Sequence, residues 1–135
     1  MKRFLACAMM VVTILTMLAA CGQNTEAKWQ EQYDLGMRYL SEGNYEEAII
    51  AFTAAIEIDP LAADGYLALA DVYIAVEEPD QAAQVLYSGW KNCPSDAQTF
   101  VVRLEQIGYI IDEDGELVSV QELETAAFSA YQEIL

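Results

Sequence analysis

The sequence contains no histidine, and only six of its 135 residues are lysine or arginine. Without histidine, the chain lacks the residue that most often serves as general base and metal ligand near neutral pH. Its 22 acidic residues give a formal net charge of −16, and it lacks the clustered bases that contacts with nucleic-acid phosphates require. These absences argue against a hydrolase, a metalloprotein and a nucleic-acid-binding protein.

Cysteine is also scarce, and its spacing does not fit the metal sites that cysteine usually forms. Cys7, Cys21 and Cys93 lie too far apart to match a zinc pattern. No serine, cysteine or lysine stands in a recognisable nucleophile motif. We therefore expect no metal, no cofactor and no catalytic residues, and we predict that the protein is not an enzyme.

The amino terminus carries the pattern of an export signal. Lys2 and Arg3 supply positive charge, and residues 4–20 then run without a charge. A basic start followed by an apolar run is typical of a secretory signal, and this run is slightly shorter than the ~20 apolar residues of a transmembrane helix. It ends in Leu18-Ala19-Ala20-Cys21, which resembles the bacterial lipoprotein signal, where a leucine and two small residues precede a cysteine.

This resemblance implies cleavage between Ala20 and Cys21 and transfer of diacylglycerol to the Cys21 thiol, with a fatty acid such as palmitate on the new amino group. Residues 1–20 are then the signal peptide, and residues 21–28 the lipidated cysteine and a polar tether. The mature chain is expected on the extracytoplasmic side of the cell membrane, or on the outer membrane of an organism that has one. The alternatives are an ordinary secretory signal with a chance cysteine and a retained single-span anchor.

The body of the chain repeats with a period of 34 residues. Identical residues recur at this offset in four pairs, which are Leu35 and Leu69, Tyr39 and Tyr73, Ala48 and Ala82, and Pro60 and Pro94. Each window, 29–62 and 63–96, divides into two amphipathic helices. The pattern predicts helices over about 29–42, 45–58, 64–76 and 79–92, with turns at 43–44 and 77–78 and a proline closing each window.

Residues 35–60, LGMRYLSEGNYEEAIIAFTAAIEIDP, resemble the tetratricopeptide repeat. The resemblance implies an all-α, right-handed α-solenoid of helix hairpins, in which small residues such as Gly36 let paired helices approach and aromatic residues such as Phe52 fill the space between them. The second window departs from the motif at Glu77, where glycine is preferred, and at Gly89, where alanine is preferred. The alternative is a chance pair of helical hairpins.

Residues 97–135 do not complete a third repeat. A third helix is expected to about residue 107, followed by a short hairpin or tight loop around residues 112–116 and a last helix from about 119 to 135. Terminal units of a solenoid are usually atypical, so we expect this last helix to cap the stack. Its apolar face would comprise Val120, Leu123, Ala127, Tyr131 and Ile134.

Three sequence pairs have the spacing of a helix capping box. They are Asn44 with Glu47, Ser95 with Gln98, and Ser119 with Glu122. The acidic run at residues 112–116 is interpreted as a solvated turn and not as a calcium-binding loop, because its glycine comes too early and the position of the last ligand is a leucine.

In the tetratricopeptide repeat family, the first helix of each pair lines a groove that binds a peptide. None of the corresponding positions here is basic, so the clamp that some members use for a C-terminal carboxylate is absent, and we expect a basic or amphipathic segment of another protein as ligand. In the alternative, these residues only pack against the C-terminal helix. The predicted groove residues are Gln30, Tyr33, Met37, Leu40, Asp64, Leu67, Asp71, Ile74, Gln98, Val101 and Glu105.

Together these patterns predict a membrane-anchored, non-catalytic scaffold for protein–protein interaction in the bacterial cell envelope. One alternative is a structural lipoprotein whose groove is filled by its own last helix or by a second copy. Another is a regulatory accessory of a cell-wall enzyme. The parallel with other lipoproteins of this build rests on architecture and does not name a partner.

Overall fold

The computed structural model describes residues 24–134, apart from the side chains of residues 131, 133 and 134. The predicted signal peptide and Cys21 lie outside these residues. The described chain is mostly helical, with one two-stranded sheet near the carboxyl end. Its elements are α1 (24–42), α2 (Tyr45–Ile58), α3 (Ala63–Ala75), α4 (Pro79–Asn92), a 3-10 turn (Pro94–Asp96), α5 (Ala97–Gln106), β1 (Tyr109–Ile111), β2 (Leu117–Ser119) and α6 (Val120–Ile134).

The helices pair as the 34-residue period predicts. Helices α2 and α4 have the predicted limits, and α3 is displaced by one residue. Successive helices pack against one another, with contacts between α2 and α3, between α3 and α4, and between α4 and α5. Helix α1 differs from the prediction, because residues 24–28 of the expected tether are already helical. The all-α solenoid of helix hairpins is therefore confirmed.

The turns inside the two hairpins have the same backbone geometry. Gly43 has a φ of 75°, and Glu77, 34 residues later, has a φ of 63°. After each, the next amide donates to a tyrosine carbonyl of the preceding helix, at 2.9 Å to Tyr39 and 2.8 Å to Tyr73. Gly43 adopts a positive φ without steric strain because it has no Cβ atom, whereas Glu77 is strained by its Cβ atom in the same conformation.

Replacing Glu77 by glycine should therefore raise the free energy of unfolding by about 1 kcal/mol, because glycine adopts positive φ without the clash of a Cβ atom. Urea unfolding of the chain from residue 21 onward would measure the change. Glu78→Gly is the matched control. Its φ is −113°, so glycine there should be neutral or destabilising, and equal gains at both positions would contradict the explanation.

The core consists of two clusters that follow the two hairpins. Ala48, Phe52, Leu69 and Val72 belong to the first, and the second surrounds Leu86. The clusters are continuous, since the partly buried side chains of Ile56, Tyr73 and Val85 pack against both. The buried apolar residues of the second are Tyr66, Ala70, Ala82, Ala83, Leu86, Cys93, Phe100 and Leu104.

Two glycines let aromatic rings enter these clusters. A Cβ atom on Gly36 would lie 2.6 Å from the Phe52 ring, and one on Gly89 would lie 2.4 Å from the Phe100 ring. The expected role of Gly36 in close helix approach is thus confirmed. The departure from the motif at Gly89 also has a physical reason, because Phe100 occupies the volume that an alanine methyl would need.

The loop after α2 is tied to the end of α4 by a small polar network. The Tyr66 hydroxyl donates to the Pro60 carbonyl at 3.1 Å, and the Asn92 amide donates to the same hydroxyl at 2.8 Å. The buried Cys93 thiol also lies 3.8 Å from the Pro60 carbonyl oxygen. These contacts connect the loop at Pro60 to α3 and to the end of α4.

Only one of the three predicted capping boxes forms. At the start of α6 the Glu122 amide donates to the Ser119 hydroxyl at 3.2 Å, and the Glu122 carboxylate accepts from the Ser119 amide at 3.4 Å. The prediction for Asn44 is wrong, because its side-chain amide donates to Glu42 instead. The prediction for Ser95 is also wrong, because this residue lies within the 3-10 turn and its hydroxyl donates to Asp96.

The hairpin, and not the last helix, closes the stack. Strands β1 and β2 pair antiparallel with Ile110 opposite Val118, and side chains of both strands pack against the cluster around Phe100. The Tyr87 hydroxyl of α4 donates to the Gly115 carbonyl at 2.6 Å and holds the hairpin turn in place. Residues 120–130 of α6 are all exposed, so the prediction that this helix caps the solenoid is wrong.

Candidate peptide-binding groove

Helices α1, α3 and α5, the first helices of successive hairpins, form one continuous surface. The Tyr33 ring of α1 stacks on Trp29 at 4.9 Å and contacts the buried Phe52 at 5.7 Å. Burial raises the pKa of Tyr33, and the neighbouring charge of Asp64 on α3 raises it further. An ion pair between Asp71 of α3 and Arg103 of α5 joins the next two helices. These contacts link Tyr33 with Asp64, and Asp71 with α5 through Arg103.

The predicted groove residues divide into two groups by exposure. Tyr33, Leu40 and Leu67 are half-buried and also pack against the core clusters, and Val101 is half-buried as well. These side chains therefore form the floor of the surface. The exposed group, which is free to contact a ligand, comprises Gln30, Met37, Asp64, Asp71, Ile74, Gln98 and Glu105.

The charge on this surface differs from the sequence expectation at one point. Asp71 pairs with Arg103, which was not among the predicted positions. The Arg103 side chain is 31% exposed. A basic group therefore lies beside the candidate groove residues and neutralises the charge of Asp71. The sequence offered only a weak signal for this contact, since Arg103 is the sole basic residue of α5. Asp64 of α3 and Glu105 of α5 are exposed acids.

The apolar part of the surface is contributed mainly by α1 and α3. Met37 is 44% exposed and Ile74 is 38% exposed. Helix α6 leaves these side chains uncovered, and within the part of the chain that the structure describes it packs against β2. Within the described residues, the last helix of the chain therefore does not cover Met37 and Ile74. The alternative that these residues only pack against the C-terminal helix is not supported.

A separate cleft lies on another side of the molecule, between α4, the hairpin and α6. Its volume is about 920 Å³, and Asp80, Tyr109 and Glu122 are among the residues that line it. The Tyr109 hydroxyl donates a hydrogen bond to the Asp80 carboxylate. This bond, together with burial and the negative charges of Asp80 and Glu122, raises the pKa of Tyr109 to about 12. The tyrosine therefore stays neutral at physiological pH.

The groups that often carry chemistry are engaged in structure. Burial raises the pKa of the Cys93 thiol, and Asp96 and Asp59 raise it further, so the reactive thiolate is disfavoured. In the acidic turn, Asp112 accepts hydrogen bonds from the amides of Asp114 and Glu116, which shape the turn. Between residues 24 and 134 there is no group of three or more His, Cys, Asp or Glu side chains arranged to hold a metal ion.

Comparison with known proteins agrees with this fold. A family model described as tetratricopeptide repeat matches residues 39–98. The chain is 46% identical over 48 residues to the type IV pilus assembly protein PilF of Pseudomonas aeruginosa, a match that covers 36% of this chain and 19% of that protein. A solved structure of Pseudomonas aeruginosa PilF superposes with a TM-score of 0.50 at 27% identity, over 62% of this chain and 40% of that one.

The helix hairpins within residues 39–98 therefore match the tetratricopeptide repeat in sequence and in fold. Repeats of this family are modules for protein–protein interaction, and the family is typically non-catalytic. The chain spans about a fifth of the length of the curated relative that it matches. Among the helices of residues 24–134, none combines the length and the apolar character needed to cross a membrane.

Proposed function

We propose that this protein is a membrane-anchored, non-catalytic scaffold that holds another protein in the bacterial cell envelope. The observation that carries the proposal is the exposed surface on α1, α3 and α5, which joins apolar side chains such as Met37 and Ile74 to unpaired acids. A surface of this kind is complementary to a basic or amphipathic segment. It does not suit nucleic acid, whose phosphates would be repelled by Asp64 and Glu105.

The anchor in this proposal is lipid on Cys21. Each methylene buried in a membrane contributes about 0.8 kcal/mol, and two acyl chains are sufficient for stable attachment. The chain has few bases near this point to add attraction to lipid headgroups. The lipid itself therefore holds the protein, on the extracytoplasmic face or on the outer membrane of an organism that has one.

The similarity to PilF supports a role in the cell envelope, although it indicates only the general class of protein and not a partner. The name of PilF describes it as a type IV pilus assembly protein, and the match extends over 48 residues, 36% of this chain. We propose that this chain likewise serves assembly at the cell envelope, with a partner set by its own groove. A cell-wall enzyme that this protein regulates is one partner that fits this proposal.

The anchor is tested by substituting Cys21 with serine in the producing cells. We expect the protein to lose label from radioactive palmitate and to move from the membrane to the soluble fraction. Cys93→Ala is the control, since this buried cysteine should have no part in either property. A Cys21→Ser protein that stays in the membrane without lipid would indicate a retained span in place of a lipid anchor.

The groove is tested by placing a photoreactive amino acid at Met37 and identifying the crosslinked protein by mass spectrometry. The matched control is Ile50 of α2, which is apolar and 69% exposed but lies on a second helix of a hairpin. A discrete foreign protein linked from Met37 and not from Ile50 is the expected result. Links from Met37 only to another copy would replace the scaffold by an oligomerising structural lipoprotein.

A further inference from the structure

Helix α6 turns its polar face toward the rest of the chain and its apolar face toward solvent. The side chains that line the cleft against α4 and the hairpin are mostly polar, and they are Gln121, Glu122, Thr125, Ala126 and Ser129. The opposite face of the helix, at the spacing of three and four residues that one helical face requires, is apolar and exposed. Its described members are Val120, Leu123, Ala127 and Ala130.

This orientation is the reverse of that found in a helix that covers a core. An amphipathic helix of a globular domain places its apolar stripe against the protein, and burying a leucine or valine there contributes about 1.5 to 3 kcal/mol. In α6 that contribution is made only in part within the chain, because Val120 is 37% and Leu123 45% exposed. Phe128, which lies about 100° around the helix from Ala127, is 66% exposed as well.

We propose that α6 is a helical ligand for a partner protein, which receives its outward face in an apolar groove with lysine or arginine at the rim. The basic rim follows from charge. The charged residues of α6 are all acidic, and Glu124 follows Val120 by one helical turn and therefore borders the apolar face. A helix with this pattern fits the helix-in-groove mode of recognition, in which rim charges steer and orient the ligand.

Two other occupants of this face fit less well. A coiled coil with α6 of a second copy would contain only about two heptads, whereas coiled coils are sustained over at least three or four, and it would bring two strongly acidic chains together. A lipid surface attracts amphipathic helices through lysine and arginine on the polar face, and α6 has neither. A protein groove with a basic rim satisfies both the apolar and the charged residues.

This surface is independent of the groove on α1, α3 and α5, since it shares no residue with it. Helix α6 follows β2 directly and packs against it, and the Ser119 capping box forms its first turn. The protein would then hold one partner segment in its groove and offer its own helix to a second protein. The role is that of a connector between two envelope proteins.

The test is photocrosslinking of the full chain in the cells that produce it, with p-benzoylphenylalanine at Ala127 on the outward face or at Ser129 on the cleft face. We expect Ala127 to link to one foreign protein at least about tenfold more than Ser129 does. The linked peptide should carry lysine or arginine beside apolar residues. Leu123→Glu in the same chain should reduce the link at least about tenfold while leaving urea unfolding unchanged, because Leu123 is exposed.

The charge requirement is tested by charge reversal. Glu124→Lys should weaken binding of the purified, identified partner at least about tenfold, and Glu113→Lys, the same change in the exposed hairpin turn, should not. Binding should also weaken between about 50 and about 500 mM NaCl, as the screening of exposed charges requires. Links to a second copy, to lipid or to nothing, equal links from both positions, or a partner insensitive to Glu124→Lys would each overturn the proposal.

Discussion

Replacing Gly89 by alanine should lower the free energy of unfolding by about 2 to 3 kcal/mol, the cost of forcing an extra group into a packed core. At an ordinary helix position the same change raises stability by about 1 kcal/mol, because glycine is a poor helix former. The sign reverses here because the new methyl carbon would lie 2.4 Å from the Phe100 ring. Phe100 is fully buried and cannot move aside without disturbing Leu86 and Leu104.

Urea unfolding of the chain from residue 21 onward would measure this loss. The control is the double variant with Phe100→Leu, whose smaller side chain leaves room for the methyl group. Adding Gly89→Ala to the Phe100→Leu protein should cost less than about 0.5 kcal/mol, so the two changes are strongly coupled. Simple additivity of the two effects would show that the ring does not account for the glycine.

Replacing Phe52 by alanine should cost about 3 to 5 kcal/mol, the range for removing a fully buried aromatic side chain. Phe52 has no exposed surface, lies against the Gly36 backbone and contacts Tyr33. Domains of this size are stable by only about 5 to 15 kcal/mol in total. The variant should therefore lose much of its helical circular dichroism on mild heating, starting with the first hairpin.

Phe128→Ala is the matched control for this experiment, because it deletes the same side chain at a site that is 66% exposed. Its effect on the unfolding free energy should stay within about 0.5 kcal/mol, as is usual for surface positions. A large loss at Phe128 would mean that α6 packs against the stack after all. Equal losses at both positions would contradict the burial seen in the structure.

The sequence predicted the hairpins well because their limits are set by local chemistry. Proline and the residues before it end the helices, and Pro79 at the start of α4 has a fixed φ that suits a first helical position. The capping boxes were less predictable. Asn44 and Ser95 donate hydrogen bonds to near neighbours, Glu42 and Asp96, and neither side chain accepts the helix amide that a cap requires. A spacing rule does not weigh such local contacts.

The orientation of α6 could not be read from its pattern. Hydrophobic periodicity shows that a helix has an apolar face, but it does not say whether that face meets its own chain or another molecule. The direction depends on how the hairpin of β1 and β2 packs against α4 and α5, which is set by tertiary contacts. For a similar reason the contact of Arg103 with Asp71, across two hairpins, was missed. The peptide-binding role of the groove stays a prediction.

Residues 24–28 are already helical, and this short distance from Cys21 affects how the protein binds a partner. If lipid is attached at Cys21 as proposed, only two residues separate it from the helical chain at residue 24, and three extended steps span at most about 11 Å. The repeats are then held close to the bilayer and diffuse in its plane. A partner in the same membrane experiences an effective concentration far above its bulk value, so modest affinities at each surface are sufficient for a lasting complex.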